Sequence, residues 1–155
     1  MANVHPLLAP MLFSFQQARE DLALHTQGLS PQQIWSAPPE LAPLGFHLRH
    51  IAGSLDRLAT YLDGRQLTAA QLAALQAELE PGASREELLE AIDVVLTRVG
   101  EQVRAIDVNR LTEARAVGRR QLPTTVIGLL VHIAEHTQRH AGQAIILSKL
   151  ARQLE

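Results

Sequence analysis

Cysteine is absent from the 155 residues, which excludes disulfides, thiolate metal ligands and a cysteine nucleophile. Any thiol in the chemistry has to arrive on a small molecule. Aromatic residues number only five: three Phe, one Trp and one Tyr. The apolar share of 46% rests instead mostly on Leu, Ala, Val and Ile, a composition that favours helices. Lys and Arg form no block and the formal net charge is −2, so the electrostatic footprint of a nucleic-acid partner is missing. No segment reaches the roughly 18 uninterrupted apolar residues of a membrane span. The N-terminus also lacks the basic flank and long apolar run of a signal peptide, with Gln, Arg, Glu and Asp entering by Asp21. These absences lead to the expectation of a cytoplasmic protein with no membrane partner, folded as one domain over residues 1–155.

What remains is helical periodicity. From about His5 to Gly28, residues Leu8, Leu12, Phe15, Leu22 and Leu29 recur at helical spacing while Gln16, Arg19 and Glu20 face away, with Gly28 as the stop. His5 and His25, near the two ends of this helix, read as exposed. Ser30-Pro31 opens a single turn containing Ile34 and Trp35, and Trp35 reads as the anchor of this connection. Leu44 to Leu62 is the second long helix, stopped by Asp63-Gly64, with a stripe through His47, Ile51, Ser54, Leu58 and Tyr61 and with His50 beside it. Thr68 to Leu79 reads as a short connector, a packing element or lid. Ser84 and Glu87 form a capping box for a third long helix that buries Leu88, Ile92, Val95, Val99 and Val103. Asp107 to Leu122 is a polar connection carrying Arg110, Arg115, Arg119 and Arg120, read as a solvated face or a receiver for an anionic substrate. Thr124 or Thr125, after Pro123, then caps the last helix, which runs to about Arg152. No alternating strand run is convincing. The expected fold is all-α, a four-helix bundle with a short connector helix between the second and third long helices.

The last helix carries the chemistry. His132, His136 and His140 stand at intervals of four on an otherwise apolar segment. Each step of four drifts only about 40° around an ideal helix and climbs about 6 Å, so the three share a stripe with Leu129, Ile133, Ala144 and Leu147. Burying three neutral imidazoles costs free energy unless something satisfies them, and a divalent cation does so well. His132 and His140 are about 12 Å apart along the axis, so at most one adjacent pair shares an ion. Neither pair carries the glutamate that directly follows the first histidine in helical zinc proteases, since Ile133 follows His132 and Thr137 follows His136. The two Glu-x-x-His motifs of a di-iron carboxylate bundle are missing as well. The natural complement is the His47/His50 pair on the second helix. Three protein nitrogens and one open position form the layout of a catalytic zinc-type site.

In FHLRHIAGSLDRL on the second helix, in HTQRHAGQ on the last and in the order of the helices, the chain resembles the DinB/YfiT-like metalloenzyme family. That resemblance implies a divalent metal, nickel or zinc, held by His50, His136 and His140. Many relatives carry arginine directly after the last histidine, where this sequence has Ala141. The resemblance also implies an enzyme acting on a small molecule, either a hydrolase or an S-transferase using a low-molecular-weight thiol such as bacillithiol, mycothiol or glutathione. The ion would acidify water or the thiol for attack on an electrophilic carbon. The alternative is a non-catalytic metal-binding or stress-associated homodimer whose ion is closed by a fourth histidine, His47 or His132. A homodimer is expected in either case, built on the apolar face of the first or last helix.

His47, His132 and Gln143 are the candidate catalytic residues: pocket-lining acid/base groups, hydrogen-bond partners of the ligands, or, for the two histidines, members of a different triad. Gln143 lies on the histidine stripe, and Ser54 follows His50 by one turn, so both are expected to bond an imidazole or a bound water. Glu135 points about 100° away from His136 and reads as a surface residue. Because imidazoles ligate only when neutral, metal affinity is expected to fall as pH drops through about 6.

Overall fold

Local signals at the helix ends divide the chain as its periodicity suggests, and the computed structural model describes residues 4–153. Helix α1 spans Ala9–His25, with proline in its first turn. It ends at Thr26, whose hydroxyl donates back to the Leu22 carbonyl at 2.7 Å. The one-turn helix α2, Pro31–Trp35, starts from a Ser30/Gln33 capping box. The central helix α3, Leu44–Leu62, follows Pro43 and stops at Asp63. Two further capping boxes, Thr68/Gln71 and Ser84/Glu87, open α4 (Ala69–Gln76) and α5 (Arg85–Arg104). The longest helix, α6, covers Val126–Ala151 and is capped by the Thr125 hydroxyl, which accepts from the Gly128 amide.

The long helices α1, α3, α5 and α6 pack as a bundle in which α3 lies against both α5 and α6, and α1 closes the other side against the same two. Phe15 and Leu22 from α1, Leu48, Ile51 and Leu55 from α3, Ile92 and Leu96 from α5, and Leu129 and Ile133 from α6 are almost wholly buried in one cluster. The apolar stripes read from the sequence are therefore the faces that meet, except that Val95 is only partly buried and Leu96 takes its place. No helix among the described residues is long and apolar enough to cross a membrane.

Trp35 fixes the entry to α3. Its indole N–H donates to the Ala83 carbonyl at 2.8 Å, and the Arg49 guanidinium lies 4.8 Å from the ring centroid. Gly45 makes this possible, because a Cβ there would come within 2.7 Å of the indole carbons.

The polar connection between the third and last long helices differs from the expectation. It contains a 3-10 turn, Val108–Arg110, followed by an antiparallel hairpin of β1 (Ala114–Val117) and β2 (Leu122–Thr125), in which Ala114 pairs with Thr125 and Val117 with Leu122. Strands of four residues, one containing Pro123, leave almost no alternation in the sequence; main-chain bonds and anchored side chains hold them instead. Arg115 is one such anchor: it is mostly buried, and its Nε donates at 2.7 Å to the Leu62 carbonyl at the end of α3. Arg110, though paired with Glu113 at 2.7 Å, is exposed like Arg119 and Arg120, so three of the four arginines match the solvated face expected of this run and Arg115 alone departs from it.

Candidate metal centre

Helices α3 and α6 make the most extensive contact in the bundle, and the histidines sit along it. His50 on α3 and His136 and His140 on α6 each offer one ligand nitrogen, and these atoms all lie within 4.8 Å of one another. His50 Nε2 is 3.0 Å from His136 Nε2, and the His136 and His140 ring centroids are 4.6 Å apart. The adjacent pair on α6 that converges is thus His136 and His140, one of the two that the axial rise allows.

His47 stands one step outside this group. It is buried, and its Nδ1 lies 3.0 Å from His140 Nδ1. Phe46 walls the same side, stacked on His50 at 5.3 Å and edge-on to His47 at 5.0 Å. His132 does not join. Its side chain is 43% exposed and its Nδ1 bonds Glu135 at 2.9 Å, because two further steps of drift, about 80° in all, carry it off the face that meets α3. Glu135 is the surface residue expected, paired also with Arg139.

Two other residues make no bond to an imidazole. The Ser54 hydroxyl donates to its own helix, to the Ile51 carbonyl at 3.2 Å, and does not reach an imidazole. Gln143 is exposed and lines a cavity of about 400 Å³ together with His47, Arg139, Leu41, Ile146 and Leu147, and makes no hydrogen bond to an imidazole among the described residues.

The residue that sequence reasoning missed is Glu78, just beyond α4. Its buried carboxylate accepts from His50 Nδ1 at 2.6 Å and from Arg57 Nη1 at 2.8 Å. Burial alone would raise its pKa, but the hydrogen bonds and charges of His50 and Arg57 outweigh that and hold the carboxyl below its usual range. A signal was present. Gln66 to Ala77 contains no charged residue, and Glu78 follows the C-terminus of a helix, where the dipole disfavours a carboxylate unless a cation meets it.

Electrostatics keep the other rings neutral. Burial, reinforced by the neighbouring His50, lowers His47, His136 and His140 each to about 4. The protonation that would compete with a metal therefore moves well below the pH of about 6 expected from free imidazole. His136 Nδ1 is buried with no hydrogen-bond partner among the described residues, a cost that a native fold rarely leaves standing. Neutral His136 and His140, with His50 facing His136 nitrogen to nitrogen, fit a divalent ion. They present three nitrogens, with neither His47 nor His132 turned in as a fourth.

Comparison with known proteins agrees with this geometry. The sequence matches the DinB superfamily over residues 14–144. The chain belongs to the DinB superfamily. Among solved structures, a conserved protein from Enterococcus faecalis shares the fold, with a TM-score of 0.77 over 94% of this chain and 96% of that one, at 14% sequence identity. No curated protein matches. The mostly helical DinB architecture and a histidine triad able to hold a metal ion are thereby established, and both motifs that carried the resemblance fall inside the matched span.

Proposed function

We propose that this DinB-superfamily protein is a divalent-metal-dependent enzyme acting on a small molecule, as a hydrolase or as an S-transferase for a low-molecular-weight thiol. The observation that carries the reading is the trio His50, His136 and His140, whose ligand nitrogens cluster within 4.8 Å while no other histidine turns in to close the set. Nickel or zinc suits three imidazoles. Such an ion supplies Lewis acidity that makes water or a thiol nucleophilic at neutral pH.

The chain's own residues do the rest. His47, neutral and hydrogen-bonded to His140, lines the adjacent cavity and can accept a proton there. Leu41, Ile146 and Leu147 give that cavity an apolar wall that limits water, and Gln143 and Arg139 supply polar contacts for orienting a substrate. His132, exposed and tied to Glu135, takes no part in catalysis in this reading. The protein acts in the cytoplasm as a homodimer, and an exposed apolar groove between α1 and α6, lined by Leu7, Ile127 and Val131, supports the pairing. Light scattering of the purified chain tests that association.

The deciding experiment is elemental analysis of untagged protein beside a His136→Ala/His140→Ala double variant. About one nickel or zinc per chain, lost in the variant, is expected and would justify screening thiol-transfer and hydrolase substrates. Wild-type chain that takes up neither metal refutes the proposal. The closed, non-catalytic alternative predicts a fourth histidine on the ion, so His47→Ala would then cost as much metal as His136→Ala.

A further inference from the structure

We infer that Glu78 is the positioning residue of the metal centre: with Arg57 behind it, it fixes the proton of His50 on Nδ1 and so turns the Nε2 lone pair toward His136 and His140. This rests on the proposed metal site, and it gives α4 and its trailing turn a role that neither the periodicity nor the family match assigns.

Three features hold the carboxylate in place. Arg49 Nη1 donates to the carbonyls of Ala77, at 2.9 Å, and of Glu80, pinning the turn after α4 onto α3. Arg57 Nη1 donates to Glu78 Oε1 at 2.8 Å, which leaves Oε2 for His50 Nδ1 at 2.6 Å. Gly53 lies beneath the pair, where a Cβ would come within 2.6 Å of Glu78 Oε1 and 2.8 Å of Arg57 Nη1. The buried carboxylate therefore has one oxygen committed to a cation that can only donate, and the other to an imidazole. Since an ionised carboxylate only accepts, the hydrogen on that contact belongs to His50 Nδ1, and Nε2 is the acceptor that faces His136 Nε2 at 3.0 Å. A carboxylate behind a ligating histidine fixes its tautomer and raises its basicity, and loss of such a partner typically costs about 10–100-fold in metal affinity.

Glu78→Gln tests this sharply. Arg57 still needs an acceptor, so the amide oxygen of the substitute turns to Arg57 and its NH2 turns to His50. That contact makes Nδ1 an acceptor and drives the proton onto Nε2, blocking the ligand atom. Affinity for nickel and zinc, measured by chelator competition on the full chain, is expected to fall about 10–100-fold. Nitrogen chemical shifts of His50 in the metal-free protein are expected to switch from the Nδ1–H to the Nε2–H form. An Arg57→Met/Glu78→Gln pair lets the amide flip and is expected to recover part of the affinity, which a merely structural role for Glu78 would not produce. Gly53→Ala, which keeps every charge but displaces the pair, is expected to weaken binding as well.

Unchanged affinity and an unchanged His50 tautomer in folded Glu78→Gln overturn the assignment while leaving the metal site standing. Wild-type protein that takes up no metal overturns both.

Discussion

The two ends of α3 are built from similar materials and reach opposite outcomes. Near its C-terminus, Arg115, Arg110, Gln102 and Asp63 line a cavity of about 270 Å³, and the polar groups there find fixed partners: Arg115 on the Leu62 carbonyl, Arg110 on Glu113, Asp63 on Gln102 and Arg65. Near its N-terminal half, His47 and His50 meet His136 and His140, and the rings are left facing one another, nitrogen to nitrogen, with His136 Nδ1 orphaned. Closed pairs of opposite charge stabilise a fold and leave nothing to bind with. A cluster of like, neutral acceptors is costly in the same fold and becomes favourable only when a cation arrives. Polar density alone would not separate the two ends; the donor and acceptor balance does.

The most severe way to break this comparison is the His136→Ala/His140→Ala variant, which should abolish stoichiometric metal binding without unfolding the chain. Thermal unfolding of the metal-free variant is expected close to the wild-type temperature, since removing the partnerless His136 Nδ1 offsets the contacts that His47 and His50 lose. A variant that unfolds would instead show that these rings hold the bundle together. Glu78→Gln comes next, with its expected loss of about 10–100-fold in affinity.

Acid should distinguish the two ends as well. His47, His136 and His140 sit at about 4 in the folded chain against 6.5 for a free imidazole. Above pH 6.5 neither state binds these protons, and stability is untouched. As pH falls from about 6.5 to about 4, the unfolded chain takes up protons that the folded chain refuses, so metal-free stability falls across that window and levels off below it. Each such proton contributes a slope of about 1.4 kcal/mol per pH unit. Urea titrations of the metal-free protein at intervals between pH 7 and 4 measure it, and the His136→Ala/His140→Ala variant should lose most of the slope. Added nickel or zinc should hold on to His136 and His140 well below pH 6, because those two imidazoles there are still neutral.

At the other end, Arg115→Ala leaves the mostly buried contact at the Leu62 carbonyl unmade and should cost about 1–3 kcal/mol of stability. At roughly 2–4 °C per kcal/mol for a chain of this size, calorimetry reads that directly. Metal affinity should not move. A change in affinity would mean that the hairpin and the histidine centre are coupled through α3.

How much of this was legible in the sequence follows from where each signal lives. Helices announce themselves through side chains repeating every three or four residues and through capping boxes, which is why α3, α5 and α6 fell where the periodicity put them. The hairpin is held by main-chain bonds over four-residue strands, and its key side chain, Arg115, reads in sequence like any surface arginine. The triad was legible because His136 and His140 lie four apart on one helix and their partner belongs to a short motif on another. Glu78 was marked only by its place after the C-terminus of an uncharged helix and its role was not legible, because its partners His50 and Arg57 are 28 and 21 residues away and only the turn after α4 brings it to them. The stripe of three histidines on α6 was overread. Spacing says that rings lie near one line, but a straight helix crossing α3 can keep only part of that line in contact.

His132 is where that distinction can be measured at its finest. It shares residue type, helix and spacing with His136, yet its side chain is 43% exposed and its Nδ1 is already committed to Glu135. If partnership and not spacing decides which imidazole binds metal, His132→Asn should change nickel or zinc affinity by less than about threefold, the scale of an exposed pair, and its thermal midpoint should stay close to wild type. The matching substitution at His136, one turn along the same helix, should remove binding altogether. A large loss at His132 would show that the ring, 5.6 Å from His136 between centroids, swings inward when the metal binds, and that the fourth position is closed after all.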